Sequence, residues 1–167
     1  MWRKARPNSQ ERRTSPREPS LLNGLTNVSL VNAALGDHVG ESIISDDHDY
    51  QLNRTVDVRE GSKVRMDTLD CILQTLAIER VTFLKMNIEG AESKALAGFR
   101  RGLLHTEHVA ISCHDFLAED RRGSASMRTK AHVRAVLENS GFTVRTRNHD
   151  DRPWIRDFVY GRRVALN

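Results

Sequence analysis

The chain has 167 residues, of which 38% are hydrophobic, which is enough for one globular domain with a core and too little to expect two. No stretch approaches the roughly 20 apolar residues of a membrane span, and the N-terminus has no apolar signal segment, so we expect a cytoplasmic protein without membrane contact. The two cysteines lie in apolar segments without metal-ligand or disulfide spacing, which predicts buried thiols and no metal site.

The formal net charge of +4 is concentrated in residues 1–20, which hold six of the 26 basic residues and two of the 22 acidic ones. This segment cannot bury enough apolar surface to offset the entropy of ordering, so we predict a disordered basic tail followed by one domain over residues 21–167. A solvated tail is favoured over a polyanion-binding one. Because the domain itself is balanced in charge, nucleic acid is not an expected partner.

The first part of the domain is predicted to contain two strands and a helix. "NVSLVNAALGD" (27–37) is typical of a strand, "GESIISDD" (40–47) of a short second one, and a polar loop follows over residues 48–63. Asp67 or Thr68 then precedes an apolar pattern at helical spacing, which predicts a helix of about three turns beginning there.

Strands and helices alternate in the second part. "VTFLKMNI" (81–88) and "HVAISCH" (108–114) are apolar runs typical of buried parallel strands, and helical spacing predicts a helix over 91–104 between them. A second helix is predicted in "SMRTKAHVRAVLENSGF", ending at Gly141. "FTVRTRN" and "DFVYGRRV" predict two final strands, and "HDDRPWIR" predicts the turn that joins them.

This alternation predicts an α/β domain with a mostly parallel sheet. The last connection is too short for a helical crossover, so the last strand is expected to pair antiparallel with the strand before it.

Ligands of such sheets bind beyond the carboxyl ends of the strands. The first apolar strand delivers Asn87, Glu89 and Gly90 to that edge, and the second delivers His114 and Asp115. If the two strands are neighbours, these side chains converge in one pocket.

Each of these residues also has a plainer interpretation. Asn87 or Glu89 could cap the helix that follows, and a tight turn is the favoured role of Gly90. His114 could be a base oriented by Asp115, or a loop histidine held by hydrogen bonds.

Several stretches resemble, in order, the C-terminal part of FkbM-type methyltransferases, which use S-adenosylmethionine. They are "LLNGLTNVSLVNAALGDHVG", "VRMDTLD", "VTFLKMNIEGAESKALAGFRRGLL", "VAISCHDF" and "GFTVRTRNHDDRPWIRDFVYG", within residues 21–164. The resemblance implies a seven-stranded Rossmann-like class I fold. It also implies methyl transfer, usually to an oxygen of a small molecule or glycan.

The resemblance assigns the cofactor-binding residues. It puts Ala33, Ala34, Gly36 and Asp37 near the adenine end of the cofactor. Asn87 stands where many members have aspartate, facing the methyl donor and the acceptor. An amide can position a hydroxyl but cannot take its proton, so Asn87 is interpreted as an orienting group.

On the acceptor side the resemblance implies catalytic roles for His114 and Glu89, with His114 as the base. Glu92 and Asp115 are the implied substrate-binding residues.

The chain departs from the family pattern at its start, where no glycine-rich turn of the Asp-x-Gly-x-x-x-Gly kind precedes residue 21. We therefore expect an incomplete fold without strands one and two of the order three, two, one, four, five, seven, six. The strand over 27–37 would then have no partner, residues 21–60 would be loosely placed beside an ordered core over 81–164, and the strand over 81–88 would be an open edge.

Two hypotheses follow from this departure. The leading one is an N-terminally truncated methyltransferase with poor cofactor affinity. The alternative is a non-catalytic fragment that acts as an interaction or dimerisation module, forming a homodimer through the exposed sheet edge.

Overall fold

The computed structural model describes residues 24–44, 62–119 and 125–163. The chain divides into two compact units, residues 1–32 and 33–167, and every element below belongs to the second. Residues 24–32 of the first unit form neither helix nor strand. The predicted tail and the predicted loop as far as residue 61 lie outside the described residues, so these predictions stay untested.

Three strands form a small sheet in the order β1-β3-β2, namely β1 (Ala34–Leu35), β2 (Gly40–Ile44) and β3 (Ser62–Asp67). β1 pairs parallel to β3 and β2 antiparallel to it. The predicted strand over 27–37 is thus reduced to two residues, and the prediction that it has no partner is wrong, because β3 pairs with it. β3 was missed because its polar first residues, Ser62 and Lys63, continue the loop composition.

Helix α1 (Leu69–Thr75) begins where the sequence predicts. The Thr68 hydroxyl caps it by accepting a hydrogen bond from Cys71 N at 3.1 Å, and Asp67 Oδ1 accepts one from Thr68 N at 2.9 Å. The helix has seven residues, about two turns rather than the predicted three.

The main sheet has the order β4-β5-β7-β6, formed by β4 (Val81–Met86), β5 (Thr106–Ser112), β6 (Phe142–Thr146) and β7 (Phe158–Arg163). β4 and β5 are parallel, whereas β7 is antiparallel to both of its neighbours. The last strand is antiparallel as predicted. A mostly parallel sheet is not observed, since three of the five strand pairs in the described residues are antiparallel.

The predicted helix over 91–104 is two helices, α2 (Glu92–Ala97) and α3 (Arg100–Leu104). The break occurs at Gly98, where a Cβ would overlap the carbonyl oxygen of Gly36. Asp70 fixes the start of α3, because its carboxylate accepts from Arg101 N at 3.0 Å and Gly102 N at 2.7 Å. The regular apolar spacing concealed this break.

Three further helices follow β5, namely α4 (Asp115–Glu119), α5 (Lys130–Asn139) and α6 (Pro153–Arg156), with a 3₁₀ turn at Ala125–Met127. Only α5 was predicted. It ends before Gly141, whose φ of +84° confirms the predicted stop signal.

The core lies between the main sheet and helices α2, α3 and α5. Its buried side chains include Leu96, Phe99, Ile111, Leu137 and Val159. Each fully buried side chain of this size contributes about 1.5–3 kcal/mol to folding. None of the helices in the described parts of the chain is long and apolar enough to cross a membrane.

Candidate functional site

The carboxyl ends of β4, β5 and β6 share one edge of the main sheet, because β5 and β6 both run antiparallel to β7. The loops that follow these strands therefore meet at that edge. They carry the residues that the sequence singled out, Asn87 and Glu89 after β4 and His114 after β5.

A tight turn follows β4. Ala91 N donates to Ile88 O at 3.1 Å, and the two residues between them have positive φ, +51° at Glu89 and +93° at Gly90. A turn with both central residues in this region is of type I′. A Cβ on Gly90 would lie 3.2 Å from Met127 Cγ, so the predicted turn role of Gly90 is confirmed. Glu89 adopts a conformation that side chains rarely occupy.

Neither Asn87 nor Glu89 caps α2, contrary to the plainer interpretation. The N-cap residue is Ala91, and it forms no side-chain capping bond. The Asn87 side chain is exposed and forms no hydrogen bond with any described residue. It is therefore accessible at the sheet edge.

His114 lies between two carboxylates. Its Nδ1 is 3.2 Å from Glu92 Oε1, its Nε2 is 3.3 Å from Glu89 Oε2, and its side chain is 6% exposed. Burial opposes the charge on the ring, but the hydrogen bonds and charges of the two glutamates outweigh it and raise the pKa of His114 to about 9. At pH 7 the ring is an imidazolium that donates from both nitrogens.

Asp115 does not orient His114, since the carboxylates that contact the ring belong to Glu89 and Glu92. Asp115 Oδ1 instead accepts from Thr129 N at 2.9 Å and Lys130 N at 3.0 Å, at the start of α5. Burial is the main cause that raises the pKa of Asp115. Its proposed contact with substrate stays a prediction.

Glu92 is fully buried, and both of its carboxylate oxygens are occupied. Oε1 accepts from Gly90 N at 3.2 Å as well as from His114, and Oε2 accepts from the Thr129 hydroxyl at 2.9 Å. Burial raises the pKa of Glu92, but these hydrogen bonds outweigh it and the pKa is lowered, so the carboxylate is ionised. Glu89, with a side chain 25% exposed, is the carboxylate of the two that a substrate can reach.

Thr129 and Asp157 are two residues of this edge that the sequence analysis missed. Asp157 joins the last strand to the site, because its carboxylate accepts from Phe116 N at 2.8 Å and its carbonyl oxygen accepts from Cys113 N at 3.1 Å. A threonine at the start of a helical pattern and an aspartate at the start of a strand are too common to stand out in one sequence.

The residues assigned to the adenine end lie on or next to β1. Ala33 and Ala34 are half-buried, and Gly36 is buried where a Cβ would overlap Met66 Sδ. Asp37 is exposed and bonded to His38 at 2.6 Å, which is the main cause of its lowered pKa.

The structure does not bring these residues into contact with His114. Gly36 lies against Gly98, at the carboxyl end of α2, whereas Glu92 begins that helix. Gly36 therefore lies near the opposite end of α2 from Glu92.

A cavity of about 730 Å³ lies at the opposite edge of the main sheet. Its lining includes Leu73, Ile78, Leu104 and Glu107, near the amino ends of β4 and β5. Two ion pairs lie among its lining residues, Arg80 with Glu107 and Arg101 with Asp70. We place the candidate site at the carboxyl edge, because buried ionisable groups converge there.

In the described residues no group of three or more His, Cys, Asp or Glu side chains could hold a metal ion.

Comparison with known proteins identifies the family. The model of the methyltransferase FkbM domain matches residues 5–144, which is most of the chain, and the protein belongs to this family. The family places it among the methyltransferases. The match begins inside the predicted tail and ends within β6. Comparisons with curated proteins and with solved structures find no match.

Proposed function

We propose that the protein binds S-adenosylmethionine and transfers its methyl group to a hydroxyl of a small molecule or glycan. The observation that carries the proposal is the Glu89–His114–Glu92 cluster at the carboxyl edge, beside the exposed amide of Asn87. Membership in the methyltransferase FkbM family supports the reaction class.

The charge of the cluster fits the cofactor. Two carboxylates and one imidazolium leave one net negative charge at an edge where ligands of such sheets bind. S-adenosylmethionine supplies an electrophilic methyl group on a positively charged sulfur, which this charge attracts. Asn87 and Glu89 would hold that end, and Ala33, Ala34, Gly36 and Asp37 remain the proposed residues for the adenine end.

Glu89 is the proposed proton acceptor at neutral pH. When bound, the cofactor would supply the methyl group, the Asn87 amide would position the acceptor hydroxyl, and Glu89 would take the proton of that hydroxyl. His114 holds Glu89 in place through Nε2–H. The predicted role of His114 as the base requires a neutral ring, which its pKa places above about pH 9.

Isothermal titration calorimetry of the full chain with S-adenosylmethionine tests the proposal. Glu89→Gln should weaken binding about tenfold, because it removes a charge near the sulfonium. Glu107→Gln is the matched control, since Glu107 is also a half-buried, paired glutamate but lies at the other edge. Absence of heat at high micromolar cofactor would contradict the proposal for this chain.

The alternative is an interaction module that forms a homodimer through β4. No described strand pairs with the outer side of β4, and Phe83 on this strand is 59% exposed. A second copy could add its β4 there and extend the sheet. Light scattering after size exclusion should then show a dimer that Phe83→Lys dissociates and Leu104→Lys, at another exposed position, does not. A monomer at all concentrations would exclude this dimer.

A further inference from the structure

A chain of hydrogen bonds runs from the protein interior to the site. The buried Thr129 hydroxyl donates to Glu92 Oε2 at 2.9 Å, and Glu92 Oε1 accepts from His114 Nδ1 at 3.2 Å. His114 Nε2 then faces Glu89 Oε2 at 3.3 Å, and Glu89 is the first member with substantial exposure.

The four members come from four different parts of the fold. Glu89 follows β4, Glu92 begins α2, His114 follows β5 and Thr129 precedes α5. Their alignment therefore depends on tertiary packing. Thr129 is itself fixed, because its backbone N–H donates to Asp115 Oδ1 at 2.9 Å.

Three donors fix the Glu92 carboxylate, namely Gly90 N, the Thr129 hydroxyl and His114 Nδ1. The Thr129 hydroxyl is the one side-chain donor that occupies Oε2 among these contacts. Without it, Oε2 would be a buried, charged oxygen lacking a partner, and the carboxylate would rotate or protonate. Either change would weaken the hydrogen bond between Glu92 and the His114 ring.

We propose that Thr129 and Glu92 are positioning residues that fix the His114 ring and aim its Nε2–H at the Glu89 carboxylate. This inference rests on the proposed function, because it gives Glu89 a fixed orientation toward the acceptor. Neither Thr129 nor Glu92 contacts the substrate in this scheme, and both act through His114. The Phe116 ring also lies beside the His114 ring, with 5.9 Å between their centroids, and the carboxylate of the adjacent Asp115 is bonded at the start of α5.

The test is an NMR pH titration of the His114 ring in Thr129→Val, which removes the hydroxyl and keeps the branched shape. The titration midpoint should fall by about one pH unit, a tenfold loss of proton affinity, because Glu92 is no longer held as a carboxylate beside Nδ1. Thr129→Ser, which restores a hydroxyl, should return the midpoint toward that of the native protein.

Thr106→Val is the matched control. Thr106 is equally buried, and its hydroxyl donates to Gly102 O at 2.8 Å, at the other edge of the sheet. It should lose comparable stability without moving the His114 midpoint. If Thr129→Val does not fold, the same NMR titration is carried out on Glu92→Gln. The His114 midpoint should also fall in that variant.

An unchanged His114 midpoint in the folded Thr129→Val or Glu92→Gln variant would overturn the inference. The titration needs no cofactor, so its result is separate from that of calorimetry with S-adenosylmethionine.

Discussion

Glu92 and His114 form a hydrogen-bonded pair of opposite charge that is almost closed to solvent, with 3.2 Å between Oε1 and Nδ1. The pair links the start of α2 to the end of β5. A buried ion pair contributes little net stability over an apolar pair, but removal of one partner leaves an uncompensated charge.

Replacement of Glu92 by alanine should therefore destabilise the protein by roughly 3–5 kcal/mol, measured as the free energy of unfolding in urea. Glu138→Ala is the control, since Glu138 is paired with Arg134 at an exposed site on α5. That change should cost less than about 1 kcal/mol. Equal losses of unfolding free energy in the two variants would contradict a buried ion pair between Glu92 and His114.

Stability should fall as the pH rises from about 6.5 to about 9. Below this window the His114 ring is protonated in both the folded and the unfolded chain, so its contribution is fully present. Within the window the unfolded chain loses the proton first, because its histidine titrates near the ordinary 6.5 whereas the folded pKa is about 9. At about 1.4 kcal/mol per pKa unit the loss amounts to roughly 3 kcal/mol.

Urea unfolding at pH 6, 7.5 and 9 measures this slope. His114→Gln should flatten the curve, and His105→Gln, at an exposed position, should leave it unchanged. A curve for the native protein that is flat across the window would refute the arrangement of His114 between two carboxylates.

Asp115 should stabilise α5 mainly as a hydrogen-bond acceptor and less through its negative charge. Asp115→Ala removes the acceptor of two backbone N–H groups and should cost about 1–2 kcal/mol in chemical unfolding. Asp115→Asn keeps an acceptor oxygen and should cost less. If Asp115→Asn abolishes turnover while the fold survives, the predicted role in substrate binding gains support.

Gly90→Ala should destabilise the turn after β4 by about 1–2 kcal/mol, because φ is +93° and the new Cβ would press on Met127. Gly40→Ala is the control, since Gly40 lies in β2 with ordinary φ and its Cβ would meet only the ring of His38. Thermal denaturation of the two variants checks the difference. Equal melting temperatures would contradict the turn geometry.

The carboxyl edge could be predicted from sequence because apolar strands are continuous runs and the residues that follow them are easily located. Asn87, Glu89 and His114 were found in this way. The bonds of Glu92 could not be inferred, because it lies 22 residues before His114 and 37 residues before Thr129 and meets them only through packing. The sequence offers the adjacent Asp115 as a partner of His114, but the Asp115 carboxylate accepts from the first backbone N–H groups of α5 instead.

The fold was predicted where hydrophobic periodicity is strong, as in β4, β5 and α5. It was missed where a single contact overrides periodicity, as at Gly98, or where an element is short, as in α4 and α6. The pairing of β1 with β3 was also missed, because strand partners depend on tertiary arrangement rather than on local composition.

The order β4-β5-β7-β6 has a consequence for the limits of the domain. The family match ends at residue 144, inside β6, yet β7 lies between β5 and β6 and is the strand that joins them. A protein cut at the end of the match would lose the strand that holds β6 to the rest of the sheet, together with the Asp157 contacts to Cys113 and Phe116. The match therefore ends before the sheet is complete.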